Sequence, residues 1–283
     1  MRSLVRYLPG SAPLVLDSPH SGTVYPDDFC VACPMPELRR AEDTHVEKLY
    51  DFAPGLGVAW IEALFPRSYL DANRDVSEID LDLIEGDWPG DTPGSDAARS
   101  KVRLGKGLIW RFTDDGLPLY DRRLSVAEVQ ARIDQCWRPY HAVVADAIAD
   151  AHARHGYSMH INCHSMPAVA GSHATEFPGL AHADFVIGDR DGTTASPKLS
   201  MWLVEQLRAM GYSADYNHPY KGVELVRRYG DPERNRHSIQ LEINRKLYMD
   251  EKTLAVHDGF AALRANLLIV VERLLKIDPR EIG

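Results

Sequence analysis

The sequence predicts a single α/β domain with a mainly parallel central sheet that is flanked by helices. Short apolar runs alternate along the chain with segments of helical periodicity, an order that is typical of strand–helix–strand units. Polar residues directly follow two of the apolar runs, at the strand ends where ligands of open parallel sheets gather. The 283 residues are enough to bury one substantial core, so we assign residues 1–283 to one domain.

The composition indicates a globular protein that acts on a small molecule. Its net charge of -9 argues against a nucleic acid or an anionic membrane as the main partner, because either would require a basic face. The N-terminal segment lacks the charged and apolar pattern of a signal peptide, and no apolar run approaches the roughly 20 residues that span a bilayer. We therefore expect a cytoplasmic protein. Its oligomeric state is not predicted by the sequence.

The four cysteines do not indicate a disulfide scaffold, because they are few and widely scattered. Cys30 and Cys33 form a CxxC pair, which can bind zinc or act as a redox pair. A second pair that would complete a four-thiolate site is missing from the sequence. A role for Cys30 and Cys33 stays open.

The first elements are predicted from short apolar runs and from helical periodicity. Residues 14–16 form a short apolar run that stops at a polar turn carrying His20, which predicts a buried strand with His20 just past its end. Residues 37–53 are predicted to form a helix that ends at a Pro-Gly pair. Residues 58–65 are predicted to form the second strand. The apolar face of the predicted helix comprises Leu38, Val46, Leu49, Tyr50 and Ala53.

The middle of the chain is predicted to contain a long loop followed by a long helix. Residues 76–120 are polar and contain several Pro and Gly, which predicts an excursion from the sheet that covers the site. Ser125 and Glu128 have the spacing of a capping box. The helix that they open is predicted to kink at Pro139 and to end at Gly156.

The last third of the chain returns to the sheet. Residues 157–165 alternate, which predicts a strand with His160, Asn162 and His164 on one face and apolar residues on the other. Strands are further predicted at 185–188 and 238–243, and helices at 197–210 and 254–275.

Separated pieces of the sequence carry the residue types of a hydrolytic metal site. Such sites combine histidine and carboxylate ligands, and three protein groups leave a fourth position for water. His20 and His164 each lie at the end of a predicted strand, and a Glu42-Asp43-Thr44-His45 run lies in the first predicted helix. These positions can converge at one edge of the sheet. Glu242 enters from a late strand and suits a general base.

Each piece also has a purely structural interpretation. A histidine after a strand is often a hydrogen-bonded loop residue, and Glu242 could form an ordinary ion pair with Arg245. Helical periodicity places Glu42 closer to the apolar face than Asp43, so the pattern alone favours Glu42 as the carboxylate ligand. Since no short window such as HExxH holds two ligands, the residues by themselves leave the choice open.

Several motifs in a fixed order give the sequence a resemblance to the N-formylglutamate amidohydrolases. The match spans nearly the whole chain, and the ordered set is far more specific than any one motif. The motifs are Ser18-Pro19-His20-Ser21-Gly22, Asp43-Thr44-His45-Val46, Pro66-Arg67, Asp71-Ala72-Asn73-Arg74, Asn162-Cys163-His164-Ser165-Met166-Pro167, Tyr220-Lys221-Gly222 and Gln240-Leu241-Glu242-Ile243-Asn244-Arg245.

The resemblance implies a phosphorylase/hydrolase-like fold similar to that of zinc carboxypeptidases. It further implies one Zn²⁺ ion held by His20, Asp43 and His164, with Glu242 beside it as the catalytic residue. Asp43 is favoured over Glu42 because the family pattern has an aspartate two residues before a histidine. Similar proteins often carry Asp at the position of Asn162, so the group that would orient His164 stays open.

The implied activity is zinc-dependent hydrolysis of the amide of an N-formyl or other N-acyl amino acid. N-formyl-L-glutamate would yield formate and L-glutamate, a reaction of histidine degradation. The substrate carboxylates require partners such as guanidinium groups. Within the motifs, Asn73 would add a second polar group, and the guanidinium candidates are Arg67, Arg74 and Arg245. An arginine in a structural salt bridge is an equally good interpretation of each.

Two other functions remain open at this point. The first is a zinc carboxypeptidase or a cell-wall or N-acyl amidase that uses the same metal arrangement on another amide. The second is a metal-free binding protein on the same fold. The sequence does not determine which acyl amino acid is the substrate.

Overall fold

A computed structural model describes residues 3–171 and 177–282 and contains a central sheet of seven strands. The strands are β1 (Val5–Leu8), β2 (Leu14–Ser18), β3 (Ala59–Ala63), β6 (Ser158–Met166), β7 (Phe185–Gly188), β8 (Ala214–Tyr216) and β9 (Arg236–Asn244), while β4 (Ile84–Glu85) and β5 (Leu124–Ser125) form a separate pair. The helices are α1 (Met35–Arg39), α2 (Val46–Leu49), α3 (Asp96–Arg103), α4 (Val126–Arg132), α5 (Arg138–His155), α6 (Pro197–Ala209), α7 (Glu224–Tyr229) and α8 (Gly259–Leu274). In these ranges no helix has the length and apolarity that crossing a membrane requires.

The sheet is mainly parallel, as predicted. Its strand order is β1-β3-β2-β6-β9-β7-β8, and the four central strands β3, β2, β6 and β9 run in the same direction. Strand β1 is antiparallel at one edge, and β7 with β8 runs against β9 at the other. The carboxyl ends of the central strands therefore lie at one edge of the sheet, where ligands of such sheets bind.

Apolar residues form a core on each face of the sheet. Helices α6 and α8 pack on one face, where they meet Met159, Ile161 and Cys163 of β6. Helix α5 packs on the other face with residues of β3 and of the 76–120 segment. The polar residues of β6 lie on the α5 side, so the predicted alternation of this strand is confirmed.

The single helix predicted over residues 37–53 is wrong. Two short helices, α1 and α2, are separated by turns, and His45 has the left-handed backbone value φ 68°. The Asp43 amide donates to the carbonyl of His20 (3.0 Å), so the chain leaves the helical path and approaches the end of β2. All five apolar residues of the predicted face are still buried. A helical spacing of buried residues is therefore also compatible with turns.

The second predicted helix is interrupted by a π turn. Ser125 and Glu128 form both bonds of the capping box that opens α4, as predicted. The π turn Ile133–Trp137 follows and leads directly into Pro139 at the start of α5. A proline has no N–H to donate, and a wider turn accommodates the missing bond. Gly156, with φ 77°, ends α5 as predicted.

The excursion over residues 76–120 is more ordered than its composition suggests. It contains β4 and α3, and Ile79, Leu83 and Leu108 belong to the core on the α5 side. These residues belong to apolar stretches of two or three residues, Leu83-Ile84 and Leu108-Ile109-Trp110, or alternate with acidic residues, as Ile79 does, and such short stretches predict no element in a polar segment. Part of the excursion is consequently packed against the body of the domain.

Helix α5 is joined by His141 to the segment that carries the Asp71-Ala72-Asn73 motif. His141 Nε2 donates to the Ala72 carbonyl (2.9 Å), and its Nδ1 lies 2.8 Å from the Tyr229 hydroxyl. Burial lowers the pKa of His141 to about 4, against about 6.5 for an ordinary histidine. His141 is therefore neutral in the folded protein at neutral pH.

Lowering the pH from about 6.5 to about 4 is expected to destabilise the protein through His141. In this window the unfolded chain binds the proton and the folded chain does not, so the free energy of unfolding falls by up to about 3 kcal/mol. Urea unfolding of the wild type and of His141→Gln across this range measures the effect. We expect a shallower pH dependence in His141→Gln and an unchanged one in His257→Gln, a control at an exposed position. Equal slopes in all three proteins would contradict the assignment.

Candidate active site

Two strand ends and one turn bring together the three predicted metal ligands. His20 lies two residues after β2, His164 lies near the end of β6, and Asp43 lies in the turns before α2. One ligand atom from each residue lies within 4.8 Å of the others, and all three residues are buried.

The ligand atoms of this trio face one small space. Asp43 Oδ2 lies 3.0 Å from His164 Nδ1 and 3.4 Å from His20 Nδ1. Although buried, His20 Nδ1 has no hydrogen-bond partner among the described residues. A buried polar atom without a partner is rare and calls for an explanation such as a bound ion. Two imidazoles and one carboxylate suit Zn²⁺ and leave a fourth position open.

Asp43 and Glu42 point in different directions. Glu42 is bonded to the Tyr25 hydroxyl and lies 3.4 Å from Arg39 Nε. Asp43 instead faces the two histidines, because its amide is bonded to the His20 carbonyl. The helical periodicity that favoured Glu42 fails because the segment is not a continuous helix.

The outer nitrogen of each histidine in the trio is held by a side chain. His20 Nε2 donates to Asp71 Oδ1 (2.6 Å), and His164 Nε2 donates to Asn162 Oδ1 (2.6 Å). The Asn162 amide in turn donates to Asp17 Oδ1 (2.8 Å), which turns its oxygen toward His164. An amide oxygen backed by a buried carboxylate thus orients His164. Such partners leave Nδ1 of both rings directed toward Asp43, on the side where a metal would bind.

Two of the predicted arginines surround Asp43. Arg245 donates to Asp43 Oδ1 (3.2 Å) and to the Ser165 hydroxyl (3.0 Å). Arg67 lies 3.7 Å from the same oxygen and donates to Asp71 (3.1 Å). Burial alone would raise the pKa of Asp43, but contacts with the two histidines and the charge of Arg67 hold it well below its usual range. Asp43 is therefore a carboxylate.

The other two predicted substrate residues lie in different surroundings. Asn73 accepts a bond from the Leu225 amide (2.8 Å), and its Nδ2 lies 3.0 Å from His164 Nε2. Arg74 Nε donates to the Lys106 carbonyl (3.0 Å), so its guanidinium anchors the excursion. Asn73 thus joins the site, whereas a substrate role for Arg74 stays a prediction.

Glu242 lies next to His164 across the paired strands β6 and β9. Gln240 Nε2 donates to its carboxyl group (2.8 Å). Burial and the nearby charge of Asp43 raise the pKa of Glu242 to about 8. Arg245, which could have paired with Glu242, is bonded instead to Asp43, Ser165 and two backbone carbonyls. The carboxyl group is therefore available for proton transfer.

The family follows from comparison with known proteins, because the N-formylglutamate amidohydrolase family profile matches residues 12–249. The chain belongs to this family. It is 30% identical over 282 residues to the N-formylglutamate deformylase of Pseudomonas aeruginosa, with 97% of each chain covered. The N-formylglutamate deformylase of Pseudomonas putida is 28% identical over 260 residues, or 89% of this chain and 87% of that one. The crystal structure of an N-formylglutamate amidohydrolase from Ralstonia eutropha is 43% identical, with a TM-score of 0.91 over 97% of this chain and 98% of that one.

Sequence reasoning missed three residues around the site of this N-formylglutamate amidohydrolase family member. Asp71 lies inside the Asp71-Ala72-Asn73-Arg74 motif, but the motif does not predict its bond to His20. Trp110 donates its indole N–H to Asp71 Oδ2 (3.3 Å), and Lys106 and Arg67 both lie against its ring. Lys106 lies between two glycines and Trp110 ends the short apolar run Leu108-Ile109-Trp110, so no motif marks either residue, and only the prediction that this segment covers the site pointed to them.

Proposed function

We propose that this protein hydrolyses N-formyl-L-glutamate to formate and L-glutamate, with one Zn²⁺ ion held by His20, Asp43 and His164. The observation that carries the proposal is the buried Nδ1 of His20, which has no hydrogen-bond partner among the described residues and faces the other two ligands. The relatives named N-formylglutamate deformylase support the choice of substrate.

A bound Zn²⁺ would acidify a water molecule and polarise the formyl carbonyl. The chain's own residues account for the remaining chemistry. Glu242 takes a proton from the attacking water as the water oxygen bonds to the formyl carbon. The same carboxyl group then delivers the proton to the amide nitrogen while the C–N bond breaks, which releases formate and the free amine. Its buried position suits this task, because a raised pKa makes both protonation states accessible near neutral pH.

Arginines make this edge of an acidic protein suitable for an anionic substrate. The net charge is -9, yet Arg67 and Arg245 are concentrated around the ligand trio. The α-carboxylate of an N-formyl amino acid lies close to the amide that is cleaved. Guanidinium groups bind carboxylates bidentately and would hold the scissile bond near the metal. The Asn73 amide adds a polar group on the His164 side.

His164→Ala is expected to lose both bound zinc and the release of formate from N-formyl-L-glutamate. The substitution removes one of three ligands, and the remaining two do not hold the ion tightly. Metal content by elemental analysis and formate by an enzyme-coupled assay give the two readouts. His152→Ala, at a half-buried position of α5 outside the trio, is the matched control and should keep both.

The outcomes separate the open functions. If the wild type binds zinc but releases no formate, the metal site would be supported and the substrate would be another amide, as in a carboxypeptidase or a different amidase. Absence of metal under metal-replete conditions would contradict the proposal and favour a binding protein. Formate release that survives in metal-free His164→Ala would contradict the role of zinc.

A further inference from the structure

Beside the ligand trio, a second cationic group rests on Trp110. Lys106 Nζ lies 3.6 Å from the centroid of the Trp110 ring, and Arg67 Cζ lies 4.9 Å from the ring. The indole is fixed by its bond to Asp71, the carboxylate that orients His20. Cations are attracted to an indole face, and the ring holds them in place. Lys106 is therefore positioned relative to the site although it lies in the excursion.

The Lys106 ammonium already binds a carboxylate in this structure. Its Nζ donates to Asp114 Oδ1 at 2.8 Å. The Lys106 side chain is only 15% exposed, whereas that of Asp114 is 58% exposed. Asp114 belongs to a turn that includes Gly116, with φ 81°. The position in front of the ammonium thus accepts a carboxylate, and the present one comes from a side chain open to solvent.

The surroundings of Lys106 favour exchange of one carboxylate for another. Burial lowers the pKa of Lys106 to about 8, against the opposing effect of Asp114. An ammonium that has lost most of its water depends on an anionic partner for its charge. An incoming carboxylate can replace that of Asp114 without leaving Lys106 unpaired.

The proposed substrate carries two carboxylates, which lie about 5 Å apart in a glutamate. The α-carboxylate adjoins the amide, so it would be bound by Arg67 and Arg245, which lie around Asp43. The side-chain carboxylate extends farther from the metal. Lys106 supplies the next cation along the same indole ring.

We propose that Lys106 recognises the side-chain carboxylate of an acidic N-formyl amino acid, in exchange for Asp114. This inference rests on the proposed function and deepens it, since it names the residue that selects glutamate over neutral amino acids. Lys106 is a specificity residue and takes no part in the proton transfers. The preference comes from one ammonium–carboxylate contact in a largely buried setting.

The test compares N-formyl-L-glutamate with its neutral isostere N-formyl-L-glutamine in the wild type, Lys106→Met and Lys106→Arg. Lys106→Met keeps an unbranched stem against Trp110 and removes only the charge. We expect it to lower kcat/KM for the glutamate substrate by at least about 10-fold, mainly through KM, and to change the glutamine substrate by less than about 3-fold. Lys106→Arg should keep a preference for glutamate. Bound zinc should stay unchanged throughout, and Lys276→Met, at an exposed lysine after α8, serves as the control.

Calorimetric binding of the products L-glutamate and L-glutamine gives the same comparison without turnover. A wild type that prefers L-glutamate and a Lys106→Met variant that does not would support the inference. An unchanged glutamate-to-glutamine ratio in Lys106→Met, or an equal loss for both, would overturn it and leave Lys106 a structural partner of Asp114. Failure of the wild type to release formate from either substrate would instead count against the proposed function, and the binding ratios would still test Lys106.

Discussion

Asp43→Asn is expected to abolish zinc binding and to lower formate release on the order of 1000-fold or more, whereas Glu42→Gln retains both. The two residues are neighbours in sequence and both are buried. Only Asp43 faces His20 and His164, while Glu42 is bonded to Tyr25 and Arg39. An amide in place of the Asp43 carboxylate would supply a much poorer ligand and leave Arg67 and Arg245 without their shared anion.

The pair of variants controls for damage to the fold. Both replace a buried acid by its amide in the same turn, so a general loss of stability would appear in both. Zinc content, far-ultraviolet circular dichroism and kcat/KM are measured on each protein. Zinc retained by Asp43→Asn, or lost from Glu42→Gln, would show that the carboxylate ligand is assigned to the wrong residue.

Glu242→Gln is expected to lower kcat by about 100- to 10,000-fold while zinc content stays at the wild-type level. The substitution preserves the shape of the side chain and its contact with Gln240, but it removes the carboxylate that, in the proposed mechanism, would accept and return the proton. Because the ligand trio is untouched, KM should change little. Steady-state kinetics together with metal analysis separates the loss of catalysis from the loss of metal.

Glu62→Gln is the matched control for this experiment. Glu62 is also a buried glutamate in the central sheet, where burial raises its pKa, but it contacts Trp60 of its own strand β3 and Arg6 of the edge strand β1. It should retain wild-type kcat. If Glu242→Gln keeps more than about a tenth of the activity, the proton acceptor lies elsewhere. If Glu242→Gln loses zinc, Glu242 contributes to metal binding and does not act only as a general base.

Much of the fold could be predicted because its strands are short, apolar and separated by clear breaks. The alternation of β6 predicts its two faces correctly, since the two-residue period of a strand assigns each side chain to a face. Strands β1 and β8 and helix α7 were not foreseen, because each is six residues or fewer and shows little periodicity. The helix predicted over 37–53 failed for another reason. The apolar residues do have helical spacing, but the backbone amide of Asp43 donates to the His20 carbonyl, so the chain turns away from the helical path at this point.

The amino-acid sequence by itself determined the parallel sheet and the strand positions of His20, His164 and Glu242. Strand ends in a parallel sheet share one edge, so local patterns are enough to place these residues near one another. Helical periodicity favoured Glu42 as the ligand and the family resemblance favoured Asp43, and the structure shows Asp43 facing the histidines. Tertiary structure alone decided that Asp17 and Asn162 orient His164 and that Trp110 places Lys106 beside Arg67. Each of these contacts joins residues from distant segments and depends on the direction of one backbone turn or one side chain, which no periodic pattern encodes.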